Sequence, residues 1–353
     1  MSKKKISILA VFLSAFVALI LLAGCTKPAA TTPSPSPAAP APAPQTKVLR
    51  LSYPLPEFDA MVASAIKAAG EFNAGAGGRY EIKVFPGGVL GGMLEVYDMT
   101  VKGAIDMCDV APDFLSEKDL LFGPQGLPFL FKDPQAFQKF LDKIRTALWQ
   151  KREAEKYNLQ MLTLHLTFPH DGWCGTKPIK TLEDWKGKVV WVGGPAEAEA
   201  ITALGASPVT LDWGDGYPAI EKGVVDGGTY GLGAAWMLKW DACKYYTDAG
   251  FFVSSASLCM NLDTYKAMPK DLQDLLNKVL SEHQTRMVQF YAVDAPVQSA
   301  ADLTKGGAEI YHVPAAERAR WQEATKGIKA SYLSKLNPED AKLIQGFIDE
   351  VNK

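Results

Sequence analysis

The chain has 353 residues, 48% of them hydrophobic, and a formal net charge of −2. That length and apolar content suffice for two globular domains with cores of their own, while the near-neutral balance excludes nucleic acid as a partner and broad electrostatic attraction to a membrane. His165, His170, His283 and His312 show no metal-ligand spacing, and there is no Gly-rich phosphate loop, no GxSxG and no HExxH. No metal, no cofactor and no catalytic constellation is therefore expected.

In chain order, Lys3, Lys4 and Lys5 precede an apolar run over 6–22, and Leu22-Ala23-Gly24-Cys25 follows. This is the layout of a lipoprotein signal peptide, 1–25, with Cys25 as the lipidated residue. The competing reading is an uncleaved anchor, since the run approaches the length that spans a bilayer. Both readings place the rest of the chain outside the cytoplasmic membrane and tie it to that membrane. Residues 26–46 are rich in Pro, Ala, Ser and Thr; such a segment cannot bury a core and reads as a tether.

The folded part begins with a strand over 48–53, a helix over 58–72, a strand over 80–85, a helix running to Lys102 and a third strand after 103–107. A helix over 133–157 and a strand over 161–168 lead to a second half. There, strands at 188–192, 207–211 and 224–226 alternate with helices at 195–204 and 215–222. Alternation on this scale predicts an α/β fold with β-α-β units. Strands over 245–253 and 257–261 follow. From Pro269, Leu272, Leu276, Val279, Leu280, Met287 and Tyr291 keep helical spacing for more than 25 residues, which predicts a brace across both halves, bent near Pro296. A strand at 309–313 and helices at 315–333 and 338–351, the last capped by Asn337, close the chain. Ligands of open α/β sheets sit beyond the carboxyl ends of the strands. That rule selects Tyr53 and Asp109 in the first half, and Trp191, Gly193, Gly194, Trp213, Thr229 and Tyr230 in the second, with Phe168 at the crossing between them.

The segments FPGGVLGGMLEVYDMTVKGAIDM (85–107), LPFLF (127–131), PIKTLEDWKGKVV (178–190), LGASPV (204–209) and YPAIEKGVVDGG (217–228) together make the chain resemble the substrate-binding proteins of TRAP transporters, the DctP-like family. The likeness runs in order along nearly the whole mature chain. It implies a non-enzymatic, two-domain periplasmic-binding-protein-like fold of the type II kind, with mixed, mostly parallel sheets flanked by helices. It implies closure over one small organic solute and delivery to the membrane permease subunits. The expected first domain is 47–167 plus about 256–310, the second 168–255, the spanning helix about 269–304, with the helices of 311–353 packed on both.

The chain departs from the family where the strand after the Asp-x-Lys-Gly turn should carry an arginine for the substrate carboxylate. Trp191 stands there, and no arginine occurs between Arg152 and Arg286. An indole cannot replace a bidentate guanidinium fork. Trp213 stands where relatives place a phenylalanine, and Tyr230 where they carry a polar residue. The expected ligand is therefore a small aromatic or apolar solute stacked on Trp191 and Trp213, or a cation in an aromatic cage partnered by Asp109, Asp212 or Asp215. A carboxylate remains open through the backbone of Gly193-Gly194 before Pro195 and through Lys177, where some relatives have a second basic residue. The bland alternative makes the tryptophans hinge or core packing. Two other classes stay open: a receptor feeding a membrane sensor, and an enzyme using Cys174 or His170. Cys108, Cys174, Cys243 and Cys259 allow three disulfide pairings, among which the sequence does not choose.

Overall fold

The computed structural model of the protein describes residues 45–168 and 170–353; the signal peptide, Cys25 and the tether up to residue 44 lie outside the described residues. The first half supplies β1 (Lys47–Ser52), β2 (Tyr80–Phe85), β3 (Met107–Val110), β4 (Leu159–Met161) and β5 (His165–Leu166). The second supplies β6 (His170–Gly175), β7 (Val189–Val192), β8 (Ser207–Thr210), β9 (Gly227–Gly228) and β10 (Tyr245–Phe252), followed by β11 (Ser255–Asn261) and β12 (Glu309–His312). They assort into two sheets, β2-β1-β3-β11-β4 with β5 on β11, and β12-β10-β6-β9-β7-β8. The β-α-β units give the parallel pairs of β1 with β2 and β3, and of β7 with β8 and β9. β11 and β6 run antiparallel to their neighbours. With helices on both faces, β3 and β11 are buried at every position, as such strands must be.

The chain passes between the sheets in the short stretches after β5 and between β10 and β11. It passes again along a long helix, Lys270–Gln289 continued by Ala295–Lys305. The first segment packs on helix Ala60–Gly75 of the first lobe, the second on helix Leu232–Met237 of the second. Between them Phe290–Asp294 forms a π-turn. Pro296 is the cause: it has no N–H to offer the carbonyl four residues back, so the ladder widens just before it. The irregularity therefore lies just ahead of the proline near which the sequence suggested a bend. One strand changes sides. Glu309–His312, part of it in the stretch assigned above to the first domain, pairs parallel with β10 of the second sheet, because the long helix has already carried the chain across. Asn337 caps helix Pro338–Val351 by accepting from the Asp340 N–H at 2.9 Å.

Among the described residues no helix is long and apolar enough to cross a membrane. The Cys174 and Cys243 Sγ atoms lie 3.7 Å apart with both thiols buried and unbridged. Burial pushes the Cys108 thiol up to about 12, which makes it an inert core residue.

Candidate functional site

β7 presents its side chains to two different layers. Val190 and Val192 enter the outer core with Trp173, Trp185 and Trp321, whereas Trp191 enters the layer that continues towards the first lobe. Trp191 is 0% exposed. Its indole fits because Gly216 leaves room: a Cβ there would come within 2.1 Å of the ring. Around it stand Tyr230 at 4.1 Å, Trp213 at 5.6 Å and Trp240 at 5.7 Å between ring centroids. Tyr217 then stacks on Trp240 at 5.6 Å. Such pairs each contribute about 0.5–1.5 kcal/mol beyond burial, so the cluster is a rigid backing layer.

In front of this layer, between the lobes, is a cavity of about 70 Å³. The second lobe contributes Trp213, Tyr230 and Ala234. The first contributes Phe114, Met93, Asp59 and Asp109; Phe168 lines it from the crossing and Tyr291 from the π-turn of the long helix. Trp213 meets Phe114 edge-on across the cleft at 6.4 Å. Two serines at the second crossing also line it, but their hydroxyls are engaged. Ser255 donates to Gln125 Oε1 at 2.6 Å, Ser254 to Asp113 Oδ2 at 3.5 Å, and Gln125 in turn to Asp113 Oδ1 at 3.1 Å. Among the described residues, no lysine or arginine lines the cavity.

Asp59 ends the turn after β1 and caps helix Ala60–Gly75, accepting from the Met61 N–H at 2.7 Å. Burial lifts its carboxyl to about 6 against the opposing pull of that backbone bond. Asp109 sits on β3, 3% exposed. Burial, and secondarily the nearby Asp59, hold its carboxyl well above the usual carboxylate range. Adjacent parallel strands thus bring two acids to one wall.

Of the residues singled out from sequence, Phe168, Asp109, Trp213 and Tyr230 line this cavity. The others do not. Trp191 is one layer back, turned towards Gly216 and bonding the Leu211 carbonyl through Nε1 at 3.4 Å, so direct stacking of a ligand on it is corrected to support of Trp213 and Tyr230. Tyr53 is fully buried beside Asp109. Lys177 is exposed, and its carbonyl accepts from Trp173 Nε1. The Gly193-Gly194 anion site is also corrected, because the protein fills it itself. The Gly193 N–H donates to Glu197 Oε2 at 3.0 Å, Thr229 Oγ1 donates to the same oxygen at 3.0 Å, and a Cβ on Gly194 would lie 2.8 Å from the Asp113 carbonyl. Asp212 likewise caps its own helix, Trp213–Glu221, accepting from Gly214 N–H at 3.2 Å, and Asp215 is exposed. Three helix starts beside the cleft therefore already carry carboxylates, and a helix start so neutralised has little left to offer a ligand anion.

Asp59 and Tyr291 were not anticipated. Asp59 falls within the helix expected over 58–72, with nothing to single it out, and Tyr291 reads as one more apolar position on a long helix. Among the described residues no group of three or more His, Cys, Asp or Glu is placed to hold a metal ion.

A sequence profile of the bacterial extracellular solute-binding proteins, family 7 (DctP), matches residues 52–335. The protein YiiZ of Salmonella typhimurium LT2 is 26% identical over 184 residues, 51% of this chain and 55% of that protein, so the match spans just over half of that relative. The 2,3-diketo-L-gulonate-binding periplasmic protein YiaO of Escherichia coli K12 is 23% identical over 307 residues, covering 86% of this chain and 92% of that one. Among solved structures, the Bordetella pertussis extracytoplasmic solute receptor DctP7, which binds pyroglutamic acid, superposes with a TM-score of 0.80 at 20% identity, over 86% of this chain and all of the other.

Proposed function

The chain belongs to the bacterial extracellular solute-binding proteins, family 7, and from that membership we propose that it is the extracytoplasmic receptor of a TRAP-type transporter, capturing a small organic solute in the cavity between its lobes without a carboxylate clamp. Solute bridges Trp213 and Tyr230 on one side and Phe114 on the other, and so stabilises the closed arrangement that a membrane permease recognises. Cys25 would tether the receptor by its lipid. The receptor carries out no chemistry on its cargo.

One observation carries the solute class. The cavity is lined by aromatic rings and two acids, with no lysine or arginine among its described lining residues. Relatives named above bind acids, diketo-gulonate in one case and pyroglutamic acid in another; an acid entering this cavity would meet Asp59 and Asp109 instead of a guanidinium. Trp213 lies on the wall, so quenching of tryptophan fluorescence reports occupancy. Across a panel of C4-dicarboxylates, sugar acids, and uncharged or cationic aromatic and apolar solutes, responses are expected only from the last group. Tight binding of a plain C4-dicarboxylate, with no response to the others, would refute the reading.

A further inference from the structure

The Asp109 carboxylate lines the cavity, is 3% exposed, and makes no hydrogen bond or ion pair among the described residues. A buried carboxyl without a protein partner is costly, and such groups persist where something else completes them. What surrounds it sets the charge of that missing partner. Asp59 faces it from the start of helix Ala60–Gly75, Tyr53 from the end of β1 and Tyr291 from the long helix. Cys108 and Cys259, paired across β3 and β11, lie on the other face of the sheet and are neutral thiols. His165 stacks on Tyr291 at 6.2 Å and is held neutral by burial, its imidazole lowered to about 4. Every one of these groups is acidic or neutral, and the aromatic side chains of Trp213 and Tyr230 line the same cavity.

We propose that Asp109, with Asp59 beside it, anchors a cationic nitrogen of the solute, whose apolar or aromatic body lies against Trp213 and Tyr230. This rests on the cavity being the solute site. A protonated amine supplies the hydrogen bonds and the charge that Asp109 lacks, and aromatic faces attract the same cation. Because burial favours the protonated carboxyls in the empty cavity, a cation displaces protons as it enters, and its affinity falls as pH drops, first through the raised range of Asp109 and then through that of Asp59 at about 6.

The test uses four probes: benzylamine and benzyltrimethylammonium as cations, benzyl alcohol as their neutral analogue and benzoate as the anion. Titration calorimetry on the intact chain is expected to rank the better cation first, benzyl alcohol well below it and benzoate last. Proton release should appear as a dependence of the measured heat on the buffer. Asp109→Asn is expected to weaken the favoured cation by about 30-fold or more while changing benzyl alcohol far less; the amide has the shape of the protonated carboxyl present in the empty cavity, so the fold should tolerate it. If benzyl alcohol or benzoate binds the unaltered protein as well as the better cation does, the inference fails, whatever the variant does, and the receptor reading stands. If Asp109→Asn binds the cation as tightly as the unaltered protein, the inference fails as well. If no probe binds and the solute panel is silent too, the assignment of the cavity as the solute site is what fails.

Discussion

Gly216→Ala is expected to lower stability by about 1–3 kcal/mol, an unusual loss for a single added methyl group. The new Cβ would stand 2.1–2.3 Å from three carbons of the Trp191 indole. That ring has no free side: it is 0% exposed and hemmed in by Tyr230, Trp213 and Trp240. Either helix Trp213–Glu221 lifts off β7 or the aromatic layer shifts. Trp191→Leu removes the obstruction at the cost of a partly filled hole, roughly 2–5 kcal/mol by comparison with other large-to-small core changes. Combined, the two substitutions should destabilise less than the sum of the singles by about 0.5–3 kcal/mol, as for residues in direct contact. Urea midpoints of the four proteins measure this. Strict additivity would mean that the indole does not press on the helix, and Trp191 would then be free to reach solute.

Gly233→Ala should act on binding. Its Cβ would fall 1.7 Å from Phe168 Cδ1. Phe168 is backed by Tyr291 at 4.7 Å and Phe290 at 6.3 Å, and its open side is the cavity it lines. Displacement of the ring into that space removes at least a methylene's worth of room, which pockets register as roughly 10- to 200-fold in affinity. A stability loss of about 1–3 kcal/mol accompanies it. Phe168→Leu in the same protein should restore part of the affinity. The check is fluorescence titration of the unaltered protein and both variants with whichever solute the panel selects; unaltered affinity in Gly233→Ala would show that Phe168 does not border the binding space.

Most of the fold is legible in the sequence because its signals are local. Pro195 after two glycines, Asn337 before Pro338 and the apolar spacing after Pro269 each mark an element by backbone chemistry alone. The side to which Trp191 points is not legible. β7 reads Val-Val-Trp-Val, apolar throughout because helices cover both faces, so no polar alternation tells one face from the other. Gly216 holds the answer, 25 residues away in sequence, by leaving a gap that matches an indole. The anion site at Gly193-Gly194 fails for a similar reason: Glu197, one turn into the helix, reaches back over its start, and no local signal marks that contact in the sequence. Asp59 is missed because the helix is expected to start at 58, which hides both its capping role and its place on the cavity wall.

The absence of the arginine thus has a wider meaning than one substitution. With Trp191 sealed into the aromatic layer, Trp191→Arg would bury a guanidinium among rings and is not expected to rebuild a carboxylate clamp. The acids on the three helix starts and on the cavity wall point the same way as the missing cation.

Mass spectrometry under non-denaturing conditions, applied to protein taken from its own cells without refolding, tests this most directly by ejecting and fragmenting whatever the cavity retains. The account predicts a small molecule with an apolar or aromatic face and a basic nitrogen. A dicarboxylate or a sugar acid in that position would contradict it.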